Sequence, residues 1–204
     1  MNKIERLVAY ALFLMPVLWA PASSLAQSPL DGTWRTDMDQ YKPSPKPNVF
    51  SVNKGMYNCS SCSPKVDVKA DGQDQSVTGQ SYDTVSVREV DPKSIAVTYK
   101  KSGKTVTEQT RAVSDDGNTL TVKTTSHPEN SDQTVISEST ATRVGKAPAG
   151  ANGTSGSWRI NKVKESENGL TTTYKSSGDE LTMSTPTGES YTAITPDDNE
   201  GTRL

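Results

Sequence analysis

The sequence predicts an all-β protein: an antiparallel up-and-down meander that closes into a barrel, followed by a partial second β module. Three observations lead to this prediction. Apolar and polar residues alternate along residues 82–144, clusters of Gly, Asp, Asn and Pro interrupt the alternation, and no window longer than about ten residues has a helical period. A meander of this kind removes its exposed edges by closing on itself.

The meander is clearest in residues 82–144, where short turns join consecutive strands. Turns are expected at 91–93, 102–103 and 114–118, because these stretches hold Pro, Gly, Asp and Asn. Apolar residues recur at every second position in the strands around Val85, Ile95 and Leu120, so we expect one face of the sheet to pack inward. The expected inward residues are Val85, Val87, Ile95, Val97, Leu120 and Val122.

The first 26 residues differ in class from the rest of the chain. Lys3 and Arg6 precede an almost wholly apolar stretch of about 14 residues, which is too short for a spanning helix of roughly 20. Small residues occupy positions 24 and 26, as in a secretory signal peptide. We expect cleavage after Ala26, export to the periplasm or the extracellular space, and no integral membrane segment in the remainder. The alternative is an uncleaved membrane anchor.

An internal repeat divides the rest of the chain. The tetrapeptide GTWR at 32–35 recurs as GSWR at 156–159, a separation of 124 residues. At the same separation Phe50 corresponds to Tyr174, and the strand expected at 65–68 corresponds to 189–192. Self-similarity at a fixed offset is the mark of repeated structural units, so the chain is expected to hold two copies of one module.

The repeat gives the domain organisation. Residues 27–144 are predicted to form the barrel module, and residues 145–155, rich in Gly and Ala without an apolar period, a flexible linker. Residues 156–204 are predicted to form the partial second module, which would stop after its third strand. Such a module is either a truncated copy or a set of strands that completes or caps the first module's sheet, because three strands alone would be marginal.

Gly32-x-Trp34 opens the meander, Arg143 lies late in it, and the Gly-x-Trp motif recurs at Gly156 and Trp158. This layout resembles the lipocalin family, in particular the small secreted lipocalin-like modules of bacteria, although the family's Asp-x-Tyr motif is not evident. The resemblance implies a Trp at the closed end of the barrel with an Arg packed over its indole. We therefore expect the guanidinium of Arg143 within about 6 Å of the Trp34 ring, and no equivalent Arg for Trp158.

Cys59 and Cys62 form the sharpest local motif, a Cys-x-x-Cys. Haem attachment would need His at position 63, and a zinc site would need two more ligands where only His127 is available. A redox pair would lie at a helix N-terminus, which a loop between strands does not provide. We expect a structural disulfide between Cys59 and Cys62, as suits an exported protein. Redox-active, free or metal-bound thiols are the alternatives.

Charge and composition exclude most function classes. The 22 Lys and Arg against 24 Asp and Glu give a net charge of −2, without a basic patch, so nucleic acid is not an expected partner. No nucleophile, base and orienting group can be named together, so we expect no enzyme activity. We likewise expect no cofactor and no metal site.

Two functions remain. The first is a binding protein whose barrel holds a small, apolar ligand. The second is a non-catalytic structural or interaction module of the cell envelope, with side chains filling the barrel. Ala, Thr and Ser at inward positions would leave a cavity, whereas Leu, Ile and aromatic residues would fill it. The sequence names neither the ligand nor the oligomeric state.

Overall fold

A computed structural model describes residues 28–129 and 131–194. These residues form fourteen strands and one short helix, so the described part of the chain is all-β. The predicted signal peptide at 1–26 lies outside the described residues. In chain order the elements are β1 Gly32–Arg35, β2 Asn48–Asn53, β3 Met56–Cys59, β4 Val66–Lys69, β5 Gln75–Ser76, β6 Thr84–Asp91, β7 Ser94–Lys101, β8 Lys104–Val113, β9 Thr119–Ser126, β10 Val135–Gly145, β11 Gly156–Glu165, α1 Glu167–Leu170, β12 Thr171–Ser177, β13 Glu180–Ser184 and β14 Ser190–Ile194.

Ten of the strands form one antiparallel sheet that is nearly closed into a barrel. Its order is β4-β3-β2-β11-β10-β9-β8-β7-β6-β5. Asp71, just after β4, forms a bridge with Arg88 of β6, and the Gly72 N–H donates to the Val87 carbonyl at 2.8 Å. The chain that leaves one end of the sheet is thus bonded to the other end. The prediction of an antiparallel barrel is confirmed.

The core follows the alternation of the meander strands. Five of the six predicted inward residues are buried, and the sixth, Val122, packs partly buried against them. The buried five are Val85, Val87, Ile95, Val97 and Leu120. Each fully buried Val, Ile or Leu side chain contributes about 1.5–3 kcal/mol to stability. The prediction of the barrel's inner face is confirmed.

The second half of the predicted flexible linker at 145–155 is packed against the barrel, so the prediction is wrong for residues 151–155. Ser155 is fully buried, and Asn152 is buried as well. The Asn152 side-chain amide donates to the Asp91 carbonyl at 2.8 Å, and the Ser155 hydroxyl accepts from the Val52 N–H at 2.8 Å. The small residues of this segment allow it to pack against β2 and the β6–β7 turn, and its composition does not signal flexibility here.

The boundary predicted at residue 156 does not separate the two sheets. β11 comes after the boundary but pairs with β10 and β2 in the large sheet, whereas β1 comes before it and pairs with β12. The smaller sheet has the order β1-β12-β13-β14. No residue of these four strands is buried. The opening strand of the first repeat, β1, therefore lies in the smaller sheet, and that of the second repeat, β11, lies in the barrel.

The repeat is visible in the register of these pairings. Gly156 lies opposite Phe50, and Gly32 lies opposite Tyr174, so both partners are related by the same offset of 124 residues. The β12–β13 hairpin repeats the register of the β2–β3 hairpin at this offset. The smaller sheet thus reproduces the opening strands of the barrel. Each repeat's first strand lies on the other repeat's second strand.

Candidate ligand-binding site

Arg143 of β10 and Trp158 of β11 close one end of the barrel. They lie directly opposite each other, with the guanidinium carbon 4.1 Å from the centroid of the indole ring. The Arg143 guanidinium also donates three hydrogen bonds to backbone carbonyls. The acceptors, at 2.6 to 2.8 Å, are the carbonyl oxygens of Gly117, Gly153 and Ser155. Trp158 is 0% exposed, and its Nε1 donates to the Thr154 carbonyl at 2.8 Å.

The predicted contact between Arg143 and Trp34 is wrong. Trp34 lies in the smaller sheet opposite Thr172 and is 51% exposed. The prediction placed β1 beside β10, whereas β11 occupies that position. The expectation that Trp158 lacks an Arg partner is wrong for the same reason.

Gly156 allows Arg143 to pack on Trp158 because it has no side chain. Its φ is +132°, and a Cβ there would lie 2.6 Å from Arg143 Nη1 and 2.7 Å from the Gly145 carbonyl oxygen. Gly32 has a similar φ of +136°, but no atom lies within 4 Å of its Cβ position. Of the two Gly-x-Trp motifs, only the one at Gly156 and Trp158 therefore packs against an Arg.

A cavity of about 280 Å³ lies inside the barrel beside Trp158. Five strands, β2, β3, β9, β10 and β11, supply its apolar wall together with Cys62 in the loop after β3. The apolar residues that line it include Phe50, Leu120, Val122, Ala141, Trp158 and Ile160. Because most of these residues also belong to the barrel's core, the cavity reaches into the interior of the barrel.

The cavity exists because several inward positions hold small side chains. Thr124 of β9, together with Ser139 and Ala141 of β10, lines it. Protein interiors are otherwise close-packed, so a larger apolar side chain at these positions would occupy the volume. These are the small inward residues that distinguish a barrel with a cavity from a filled one.

Arg111 of β8 brings a positive charge to the wall of the cavity. Its guanidinium carbon lies 4.7 Å from the centroid of the Phe50 ring. Its N–H groups donate to the Tyr57 and Tyr99 hydroxyls, both at 3.1 Å, and to Gln109 Oε1 at 2.8 Å. All of these partners are neutral. Within residues 28–129 and 131–194, no carboxylate forms an ion pair with Arg111.

Tyr99, which bonds to Arg111, and its neighbour Tyr82 are both protonated. Burial raises the pKa of Tyr99. Burial also raises the pKa of Tyr82, whose ring meets that of Tyr99 edge-on at 4.7 Å, to about 12. Both hydroxyls are therefore neutral near pH 7. The positive charge of Arg111 has no compensating tyrosinate.

The predicted disulfide between Cys59 and Cys62 is confirmed. Both cysteines and Ser61 between them line the cavity. The bridge therefore holds the loop after β3 against the cavity. His127, the only His available as a zinc ligand, lies 3.3 Å from the carboxylate of Glu108 instead.

Sequence reasoning missed Arg111 and the polar side of the cavity. The signal is present in β8, because Gln109, Arg111 and Val113 occupy alternate positions and Val113 is buried. Side chains two residues apart on a strand share a face. An Arg in phase with a buried Val therefore predicts an inward-facing charge.

Comparisons of the chain with protein-family models, curated proteins and solved structures found no match. In the part of the chain that the structure describes, no group of three or more His, Cys, Asp or Glu residues could hold a metal ion. None of the helices among the described residues is long and apolar enough to cross a membrane. The function is therefore inferred from the geometry of the barrel.

Proposed function

We propose that this protein is an exported, lipocalin-like binding protein that holds a small, largely apolar molecule in its barrel. The observation that carries the proposal is the cavity of about 280 Å³ among core residues. Ligand sites are concave, mostly apolar and largely formed before the ligand arrives. Phe50, Leu120 and Trp158 supply the apolar surface, and Ser139 and Ala141 leave the space.

The closed end of the barrel supports the lipocalin-like part of the proposal. The resemblance implies a Gly-x-Trp strand beside a late strand whose Arg covers the indole. Gly156, Trp158 and Arg143 have this arrangement, with the Trp supplied by the second copy of the motif. The three backbone hydrogen bonds of Arg143 hold this end together, which suits a permanent floor beside the cavity.

Export is supported by the N-terminal sequence and by the disulfide. Residues 1–26 have the layout of a signal peptide. A disulfide between Cys59 and Cys62 is the state expected in an oxidising compartment, such as the periplasm or the extracellular space. The proposed activity is binding alone, without catalysis, cofactor, metal or nucleic acid.

The second candidate is a structural or interaction module of the cell envelope. The size of the cavity favours it, because about 280 Å³ lies just below the usual range of roughly 300–1,000 Å³ for ligand sites. The exposed strands of the smaller sheet would then be the functional surface.

Binding of 4-phenylbutanol, a small and neutral probe that is mostly apolar, tests the proposed function. We expect saturable binding by isothermal titration calorimetry. Ser139→Leu fills the cavity from β10 and should weaken binding by about tenfold or more. Thr142→Leu adds the same side chain at an exposed position of the same strand and should leave binding unchanged.

Two results would contradict the binding proposal. One is the absence of binding at millimolar probe concentrations. The other is an equal loss of affinity in the Ser139→Leu and Thr142→Leu variants, because the cavity would then not be the site. Either result favours the structural module.

A further inference from the structure

The polar side of the cavity holds a cation that the described residues do not neutralise. A guanidinium removed from water is costly unless an anion or several hydrogen bonds compensate for it. Arg111 donates only to neutral groups, those of Gln109, Tyr57 and Tyr99. The ion pairs of the described residues all lie elsewhere. The site is therefore positively charged.

Hydrogen-bond donors are also available beside this charge. A guanidinium carries five N–H groups, and the hydrogen bonds of Arg111 to described residues use four of them. The Tyr57 hydroxyl oxygen accepts from Arg111, and Tyr57 lines the cavity, so its own O–H proton can donate to another group. An anion bound here would meet a positive charge and up to two donors.

We infer that the ligand carries an anionic group, such as a carboxylate, that binds at Arg111 while its apolar part lies against Phe50, Leu120 and Trp158. This inference rests on the proposed function and names the ligand's class. A carboxylate matches the planar donors of a guanidinium, and hydrogen bonds between two charged groups are about twice as strong as neutral ones. The ligand class is therefore a small amphipathic acid.

A purely structural role would use the same side chain differently. Arg111 packs over Phe50 and bonds to tyrosines of β3 and β7, so in that role it would only tie strands together across the barrel. An acid and an alcohol with the same apolar part would then bind with equal affinity.

The matched probes 4-phenylbutyrate and 4-phenylbutanol separate these roles. We expect the unchanged protein to bind the acid about tenfold more tightly than the alcohol. Arg111→Met should remove this preference, so that the variant binds the acid and the alcohol with about equal affinity. Arg159→Met removes a positive charge from an exposed position of β11, and it should leave the preference intact.

The outcomes distinguish this inference from the proposed function. Equal binding of the two probes by the unchanged protein overturns the inference of an anionic ligand and leaves the binding function standing. Binding of neither probe overturns the proposed function itself. If Arg111→Met does not fold, Arg111→Lys keeps the charge and loses the planar donors, so the preference for the acid should fall several-fold. An unchanged preference in that variant also overturns the inference.

A second inference rests on an independent observation, the matching hydrogen bonds of the two opening strands. Trp34 and Trp158 each donate from Nε1 to the carbonyl four residues earlier, at 2.8 Å in both cases. The residue before each Gly also accepts a backbone N–H of the second strand through its side-chain oxygen, at 2.8 Å in one repeat and 2.7 Å in the other. β1 and β11 therefore make the same two hydrogen bonds at equivalent positions.

The geometry points to one position in the barrel, between β2 and β10, that either β1 or β11 could occupy. β11 prevails because it pairs with β10 over eight residue pairs, whereas β1 has four residues in all. With β1 in that position, β1 and β2 would form a hairpin through residues 36–47. β11 would then pair with β12, its neighbour in sequence.

Disulfide trapping in the full chain distinguishes the two arrangements. Thr33→Cys with Thr173→Cys, and Val49→Cys with Ser157→Cys, report the arrangement described here, because the members of each pair lie directly opposite. Thr33→Cys with Val49→Cys reports β1 inside the barrel. Peptide mapping by mass spectrometry locates the bonds.

In the otherwise unchanged chain, the first two pairs should cross-link and the third should not. Trp158→Ala and Lys162→Pro each weaken β11, and in either background the third pair should cross-link within one chain. A folded background without this cross-link overturns the inference. Unfolding of both backgrounds overturns it as well, because a replaceable strand cannot be essential for folding.

Discussion

Arg143 combines a ring contact with three backbone hydrogen bonds, and together they join segments that are distant in sequence. Its carbonyl acceptors lie in the β8–β9 turn and in the segment before β11, and the ring is that of Trp158. Hydrogen bonds from a charged donor are stronger than neutral ones, and buried carbonyls without a partner are costly. This side chain therefore contributes more to stability than an ordinary exposed Arg.

We expect Arg143→Ala to lower the free energy of unfolding by roughly 2–4 kcal/mol, because the cation–π contact and the carbonyls' hydrogen bonds are lost together. In protein produced without residues 1–26 and carrying Trp34→Phe, the emission of Trp158 should shift to the red. Arg35→Ala removes an exposed ion pair to α1 and should destabilise the protein much less. Chemical denaturation followed by fluorescence measures both variants, and equal stabilities would contradict this account of the closed end.

Tyr82 makes stability depend on pH at the alkaline end. Burial, and to a lesser extent Tyr99 and Tyr57 nearby, raises its pKa to about 12, against about 10 in an unfolded chain. The folded state holds this proton more tightly, so the contribution is complete below pH 10 and is lost as pH rises through 12. We expect the Tm to fall in this window, and to fall less in Tyr82→Phe, as measured by calorimetry. Tyr191→Phe, at an exposed position, should behave like the unchanged protein, and an undiminished fall in Tyr82→Phe would refute the assignment.

β1 and β11 show how two copies of one short sequence reach different surroundings. Both begin with a Gly of positive φ, at +136° and +132°. β11 continues as a strand to Glu165, whereas β1 ends at Arg35. Residues 42–47, before β2, hold Pro at every second position, which cannot donate to a central ladder. The longer ladder of β11 with β10 decides which copy enters the barrel.

Alanine at the two equivalent glycines should separate local backbone strain from barrel packing. A non-Gly residue at such a φ costs about 1–3 kcal/mol, so Gly32→Ala should be mildly destabilising. Gly156→Ala should be more so by roughly 1–3 kcal/mol, because its Cβ would lie within 3 Å of Arg143 and of the Gly145 carbonyl. Thermal denaturation of the two variants gives the comparison. Equal losses would mean that packing around the barrel's copy of the motif contributes nothing.

The two sheets of the molecule are held together by different means. The barrel encloses a cluster of buried apolar side chains, whereas no strand residue of the smaller sheet is buried. Without a core, an open sheet of four strands is stabilised mainly by its ladder and is marginal. Local opening should therefore be much easier in the smaller sheet than in the barrel.

Amide hydrogen exchange tests this difference across the whole molecule. We expect backbone amides of β7 and β9 to exchange only through global unfolding, because these strands are central in the barrel. Those of β13 and β14 should exchange at least about 100-fold faster through local opening. Equal protection of the two sheets would show that the smaller sheet unfolds together with the barrel.

The strands over residues 82–144 and their inward residues could be predicted because the two-residue period depends only on local chain geometry. The bond between Cys59 and Cys62 could be predicted for a similar reason, since the two residues are close in sequence. The contact of Arg143 with Trp158 could not be predicted. It required knowing which of two similar strands lies beside β10.

Local pattern therefore determined the all-β class, the core of the meander and the disulfide. Which Gly-x-Trp strand completes the barrel depended on the tertiary structure, because β1 and β11 differ in the length of ladder that they can form with a distant strand. The cavity also depended on it, because the volume left by Ser139 and Ala141 exists only when the sheet closes. The same closure brings Arg111 against Phe50, Tyr57 and the rest of the cavity wall, and so gives the barrel its positively charged side.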